Sequence, residues 1–387
     1  MTARASQARA PIEAREAREG RRQDRDPRDP PARRTSCRSG RSLPLATLAL
    51  AFPLSSGALF GACASDAVGA HEIRLDGRAI GTTWVLRVVD EERDADPALL
   101  RELVERSLET VDLAASTWRE DSEISRALSL EPGAEQPISE DLVAILDVAR
   151  EAYEHSGGAF DPTVGPLVAL YGFGAGAEDE LPAAEALAEA AARVDFPAFA
   201  WEAGQLTRTR DDVSLDLSGV AKGHAVDLAA DALLAAGETR FLLEIGGELR
   251  ASGRRLDGAP WAIGIYEPVE TLRVHGRVMA TEVAVATSGD YRAFRDLPDG
   301  TRLSHTIDPR TGRAATSGVA SATVLADTCA RADALATAIM VLGPDAGLEL
   351  VESLPEVEAY LLTHGGQTEA FSVRASSGFP TVELFGG

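Results

Sequence analysis

The sequence predicts an α+β domain built from mixed or antiparallel sheets with packed helices, and three observations carry that prediction. Strand-like and helix-like periodicities both occur after residue 70, yet they alternate only in places, unlike the regular succession of a doubly wound sheet. At 387 residues and 45% apolar composition the chain can bury one large core or two ordinary ones. Internal repeats, zinc-type cysteine clusters and a Gly-x-Gly-x-x-Gly fingerprint are all missing from the sequence, which argues against solenoid, zinc-ribbon and dinucleotide-binding architectures.

Residues 1–41 carry 12 arginines, six acids, several prolines and almost no apolar residues, and read as a basic disordered leader that cannot pack. The leader is longer than a signal sequence requires, as an upstream misassigned start codon would produce. Arg33-Arg34 matches a twin-arginine signal poorly. Residues 42–63 form a signal segment with a lipobox-like end: an apolar core broken by Pro53, then small residues before Cys63, with Phe60 where leucine is usual. A short transmembrane anchor is the alternative, but the uninterrupted apolar stretch falls short of the roughly 20 residues that a span needs. The reading is therefore an exported chain, lipid-anchored to the extracytoplasmic face of a bacterial membrane through Cys63, with residues 64–70 as linker and 71–387 as the working domain. Cleavage before Cys63 leaves Cys329 as the only other cysteine, so no intramolecular disulfide is expected despite export. Cleavage also moves the net charge from −23 to −29, and such an acidic body repels nucleic acid.

Within the domain, 71–89 alternates as two strands around a turn at Asp76-Gly77. Leucines and valines between 97 and 116 form one helical face, and Ser139 caps a second helix ending at Gly157-Gly158. An alanine- and glutamate-rich helix is expected over 178–193. Val213 to Leu217 reads as a strand running into a helix at 220–236, followed by a buried strand at 241–245 and a turn at Gly246-Gly247. Further strands are expected at 261–266 and 272–287. A helix from Cys329 to Leu342 closes at Gly343-Pro344, and a shorter helix precedes strands at 357–363 and 368–374.

The chemistry begins with a contrast: the chain has 37 arginines and a single lysine, Lys222, inside Asp216-Leu-Ser-Gly-Val-Ala-Lys-Gly-His-Ala-Val-Asp227. A compact ammonium reaches a phosphate as a point charge, a task the planar guanidinium performs differently. Asp333 and Thr337, four apart in a helix, share one face and suit a hard cation such as Mg²⁺, with backbone carbonyls, water and phosphate completing its shell. A capping Asp and an interior Thr explain that pair equally well without any metal. Gly219 and Gly223 would let backbone approach a phosphate at a positive helix end, where a metal and a lysine together serve phosphoryl transfer. His305, followed by Asp308, is the candidate base for an attacking hydroxyl, ahead of His224, although either can simply support the fold. Trp84, Trp118 and Phe160 offer flat faces for a flavin or adenine, or serve the core.

Seven runs, in this order, resemble the ApbE family of FAD:protein FMN transferases over about residues 70–380. They are Gly158-Ala-Phe-Asp-Pro-Thr-Val-Gly-Pro166, the Asp216 to Ala225 stretch, Ile245-Gly-Gly-Glu248, Ala286-Thr-Ser-Gly-Asp-Tyr291, His305-Thr-Ile-Asp-Pro-Arg-Thr-Gly312 and Ala332-Asp-Ala-Leu-Ala-Thr-Ala338, with Ile80-Gly-Thr-Thr-Trp84 upstream. The resemblance implies a T-fold-like α+β core. It also implies a reaction in which FAD binds with Mg²⁺ and its FMN half passes to a Thr or Ser hydroxyl of a target protein, a subunit of a redox complex, with AMP leaving. Under it, Gly219 (backbone), Asp333 and Thr337 hold the metal. Ile80, Trp118, Ala159, Phe160, Asp161, Asp216, Lys222 and Ile307 contact the flavin nucleotide, and His305 assists the hydroxyl. Methionine is commoner at position 80, and Glu244 stands where the family usually has an uncharged residue. Two other activities stay open: a Mg²⁺-dependent FAD pyrophosphatase giving FMN and AMP, and a non-catalytic flavin-binding lipoprotein.

Overall fold

Eight strands line up in one antiparallel sheet in the order in which the chain reaches them: His71–Ala79, Thr82–Asp90, Phe241–Ile245, Glu248–Ser252, Val283–Gly289, Val319–Ala326, Glu358–His364 and Phe371–Ala375. Helices and small sheets are inserted between neighbouring strands, which is why the two periodicities alternate so irregularly along the sequence. The computed structural model describes residues 69–92, 94–173, 181–269, 273–290, 294–296, 302–304, 306–365 and 371–385. The leader, Cys63 and His305 lie outside the described residues.

The helices are α1 (Pro97–Ala115), α2 (Glu123–Ser129), α3 (Glu140–His155), α4 (Gly165–Val168), α5 (Ala184–Ala191), α6 (Ser218–Ala235), α7 (Cys329–Leu342) and α8 (Pro344–Ser353). Asp96 caps α1 by accepting from Ala98 N, and Pro97 occupies the first turn, where a missing N–H does no harm. Ser139 caps α3 as its sequence suggests, accepting from Leu142 N at 3.2 Å. On the sheet, alternate side chains divide between two covers. Leu86, Phe241, Leu243, Val324 and Leu361 enter one core with the apolar faces of α1, α3, α6 and α7. Their neighbours Ala251, Val285 and Leu325 point to the opposite side, against Trp261 and Ile263 of a three-stranded sheet made by Trp261–Tyr266, Val274–Ala280 and Glu383–Leu384. Helices, large sheet and small sheet thus form three layers, an α+β architecture as the sequence predicts.

Four sequence expectations change. The first hairpin turns at Ile80-Gly81, both at positive φ (44° and 76°), not at Asp76-Gly77. Gly77 pairs with Trp84 in register, and a Cβ at 77 would fall 2.6 Å from the indole, so this glycine makes room for a ring. Residues 213–217 are not strand; Asp216 N bonds instead to Pro162 O at 2.7 Å, and the segment feeds α6 without a ladder. The 272–287 run is two strands, Val274–Ala280 in the small sheet and Val283–Gly289 in the large one. The helix expected over 178–193 spans only Ala184–Ala191 among the described residues.

Candidate functional site

The site forms where the first turns of α6 cross α7. α7 is apolar nearly all round and mostly buried, so packing on every side sets its position, whereas α6 buries Val220, Gly223, Val226, Ala229, Ala230 and Leu233 and leaves Ser218 and Asp231 exposed. Two residues fix the crossing. At Gly223 a Cβ would fall 2.5 Å from the Cys329 carbonyl carbon and 2.6 Å from Ala330 Cα, so only glycine permits this approach. One turn on, the buried Asp227 carboxylate accepts from Cys329 N and Ala330 N, each at 2.9 Å, and from Arg250 at 3.0 Å, tying α6 to the start of α7 and to the sheet. Burial pushes the Asp227 carboxyl above the usual range, against the pull of these donors. The same burial, with Asp227 nearby, pushes the Cys329 thiol well up, which leaves it an inert packing group.

This crossing brings Lys222 to Asp333 across 111 residues of chain. The ammonium donates to Asp333 Oδ2 at 3.0 Å and to Ser218 O at 3.0 Å, and lies 3.5 Å from Glu248 Oε1. Gly223 N also faces Asp333 Oδ2, at 3.3 Å. Thr337, one turn along the face of α7 that carries Asp333, lies 3.4 Å from the Ser288 hydroxyl. A Cβ on Gly219 would meet Thr337 Oγ1 at 3.5 Å and the Phe160 ring at 3.1 Å. Thus Gly219, Lys222, Asp333, Thr337 and Phe160, singled out from separate runs of sequence, occupy one neighbourhood. Gly223 does not offer its backbone to a phosphate as the sequence suggested; its surface is taken by α7.

Other candidates surround this point in different ways. Asp161 is buried and spends Oδ1 on Thr163 N at 2.7 Å and Thr163 Oγ1 at 2.5 Å, shaping the turn that carries Phe160. Burial raises its carboxyl above the ordinary range, Asp195 adds to that, and the Thr163 bonds oppose it. Ala159 is buried beside it. Asp216 is exposed and accepts from Ser218 N at 3.0 Å at the entry to α6. Ile80 is half-buried in the left-handed turn, and Trp118 is 96% exposed. Ile307 packs among Leu167, Tyr171 and Ala190 and pairs with Ala314 in a short antiparallel ladder. His224 bonds Asp141 at 3.0 Å and serves the contact between α6 and α3. Trp84 is wholly core.

Two residues at the site had no assigned role in the sequence. Glu248 was visible only as the end of the Ile-Gly-Gly-Glu run, and Ser288 only within Ala-Thr-Ser-Gly-Asp-Tyr; in the fold, Glu248 stands out as an acid buried to 1% exposure. Glu244 now has a reason: its Oε1 accepts from Gly247 N at 2.7 Å and closes the turn that delivers Glu248.

The ApbE family model matches residues 80–361, most of the chain. The chain belongs to the ApbE family. Among curated relatives, FAD:protein FMN transferase of Vibrio cholerae serotype O1 is 39% identical over 292 residues, covering 73% of this chain and 85% of that protein. The Escherichia coli K12 protein of the same name is 32% identical over 302 residues, covering 76% and 85%. Among solved structures, the flavin transferase ApbE from Vibrio cholerae superposes with a TM-score of 0.72 at 35% identity, covering 80% of this chain and 98% of that one. The apo flavinyl transferase ApbE of Pseudomonas stutzeri gives 0.71 at 33%, covering 80% and 95%. The α+β fold described above is therefore the ApbE fold.

Proposed function

We propose that this chain is an FAD:protein FMN transferase that uses Mg²⁺, and the meeting of Lys222, Asp333, Thr337 and Gly219 at one point is the observation that carries the reading. In the reaction, the oxygen of a Thr or Ser hydroxyl on a target protein attacks the FMN phosphorus of FAD. The bond from that phosphorus to the bridging pyrophosphate oxygen breaks, AMP leaves with the bridging oxygen, and the hydroxyl proton passes to a base, the role proposed for His305. Such a transfer needs positioning and charge stabilisation more than covalent participation.

The donor set fits a hard cation. Among the described residues no three His, Cys, Asp or Glu side chains gather as a self-sufficient metal site. What gathers is one buried carboxylate, the Thr337 and Ser288 hydroxyls and the Gly219 backbone, all oxygen chemistry, the kind of partial shell that Mg²⁺ completes with water and phosphate. Bound there, the ion would polarise the phosphoryl oxygens and neutralise developing charge. Lys222 adds a second positive charge, Phe160 borders Gly219 with Ala159 next to it in the chain, and Trp118 offers an open face on which an isoalloxazine can stack. Ile80, Asp161, Asp216 and Ile307 complete the proposed flavin contacts.

We further propose that the chain works outside the cytoplasm, anchored by lipid at Cys63, on subunits of membrane redox complexes. The mature charge of −29 supports a protein target over nucleic acid. No helix among the described residues is long and apolar enough to cross a membrane.

The deciding experiment incubates the purified chain from Ala64 with FAD, Mg²⁺ and a flavin-accepting domain, and follows AMP release together with in-gel flavin fluorescence. The reading expects a fluorescent acceptor band with stoichiometric AMP, both lost in Asp333→Ala. AMP with free FMN and no band would replace it by a pyrophosphatase; FAD retained with no AMP would replace it by a flavin carrier.

A further inference from the structure

Lys222 sits between two carboxylates that are almost entirely out of water. Asp333 is 3% exposed and Glu248 1% exposed, whereas 32% of the lysine side chain reaches solvent. Two buried anions facing one ammonium carry a net negative charge among the three, an arrangement that favours arrival of a further cation. That cation meets an obstacle. Asp333 Oδ2 already accepts from Lys222 Nζ at 3.0 Å and from Gly223 N at 3.3 Å. A divalent ion drawn to Asp333 and Thr337 lands beside an ammonium, and like charges at such range repel strongly where water is scarce. The pyrophosphate of FAD removes the obstacle, because its anionic oxygens are the natural partner of an ammonium on a flexible stem. Glu248 Oε1, 3.5 Å away, and Ser218 O, 3.0 Å away, mark a path along which the ammonium stays held as it leaves Asp333.

We propose that Lys222 is a movable counter-ion and Glu248 its positioning residue: the ammonium guards Asp333, passes to the pyrophosphate when FAD binds, and so makes the divalent cation enter with FAD rather than before it. The proposal rests on the transferase reading of the site, but it concerns the order of binding, which turnover alone does not report.

Isothermal titration of the chain from Ala64 with Mg²⁺ alone, and again after FAD has been added without acceptor, reads the coupling directly. FAD is expected to tighten Mg²⁺ in the wild type. Lys222→Met is expected to tighten Mg²⁺ alone by about tenfold or more, a modest share of the Coulomb energy between charges this close, and to shrink the gain that FAD brings. Lys222→Arg keeps the positive charge and is expected to leave Mg²⁺ alone weak. Because Lys222→Met exposes two buried carboxylates to each other, a second comparison uses Lys222→Met/Glu248→Gln against Glu248→Gln. The carboxylates are then identical in both proteins, and the double variant is expected to bind Mg²⁺ more tightly. Equal or weaker Mg²⁺ binding in folded Lys222→Met, or no difference in the second comparison, overturns the proposal. AMP release by a wild type whose lysine variants show no tightening removes this inference alone. Coupled Mg²⁺ and FAD binding with no AMP released in the presence of any acceptor removes the transferase reading and leaves the counter-ion standing.

Discussion

Gly223→Ala tests whether the helix crossing sets the site. The added methyl would lie 2.5 Å from the Cys329 carbonyl carbon and 2.6 Å from Ala330 Cα, and both obstacles are backbone that cannot swing aside. Ordinary contact begins near 3.4 Å, so α6 and α7 must part by about 1 Å. Overpacking of this kind costs about 1–3 kcal/mol, with the upper end expected because the obstacle is main chain. The same displacement acts on the chemistry, since Gly223 N faces Asp333 Oδ2 and the neighbouring Lys222 donates to it. A misplacement of about 1 Å can lower a rate by about 100-fold. Urea unfolding should therefore show an earlier midpoint with an unchanged slope, while AMP release at saturating FAD falls by about two orders of magnitude in protein that is still folded. Wild-type stability, or lost stability with AMP release within about threefold of wild type, would refute the argument that this glycine places the lysine and the carboxylate.

Two further predictions follow from the same geometry. Trp118→Ala should leave thermal stability within about 0.5 kcal/mol, because the exposed indole supports little of the fold, yet weaken FAD binding by about 1–3 kcal/mol if the ring stacks on the flavin; fluorescence titration with FAD measures the second quantity, and unchanged affinity removes Trp118 from the site. Asp161→Asn retains an oxygen for both Thr163 bonds and removes a buried charge. Because the folded carboxyl titrates above its ordinary 3.8, the wild type is favoured below that value and loses stability as pH rises through the raised one, so the stability of the Asn variant relative to wild type should climb across that interval and level off above it. Paired urea unfolding curves from about pH 4 to 7 check this, and a flat or falling difference would contradict the burial argument.

Local signals written in neighbouring residues were legible in the sequence. Ser139 announces a helix start because a cap is a contact of two or three residues, and α7 was readable from end to end between Cys329 and Gly343-Pro344. Gly219, Lys222, Asp333 and Thr337 could be singled out in the sequence because the phosphate and cation chemistry proposed for them restricts residue type, and the fold brings them into one neighbourhood. Other features depend on partners far along the chain. The Val319–Ala326 strand is buried at every position, so it lacks the alternation that marks a half-exposed strand. Asp76-Gly77 has the composition of a turn, but only the register that sets Gly77 against Trp84 shows that this glycine accommodates an indole and that the chain reverses at Ile80-Gly81. Val213 to Leu217 has a strand's composition and, among the described residues, no neighbouring strand to pair with.

What the sequence by itself determined was the α+β class, the residue types at the candidate site and the family they resemble, because each is carried by local patterns and short spacings. Only the tertiary structure decided that Glu248 shares Lys222 with Asp333, that Ser288 stands by Thr337, and that Gly223 serves helix packing rather than phosphate. Those are meetings between elements remote in sequence, fixed by how apolar helices settle on a sheet, and no local pattern encodes the distance between side chains brought together in that way.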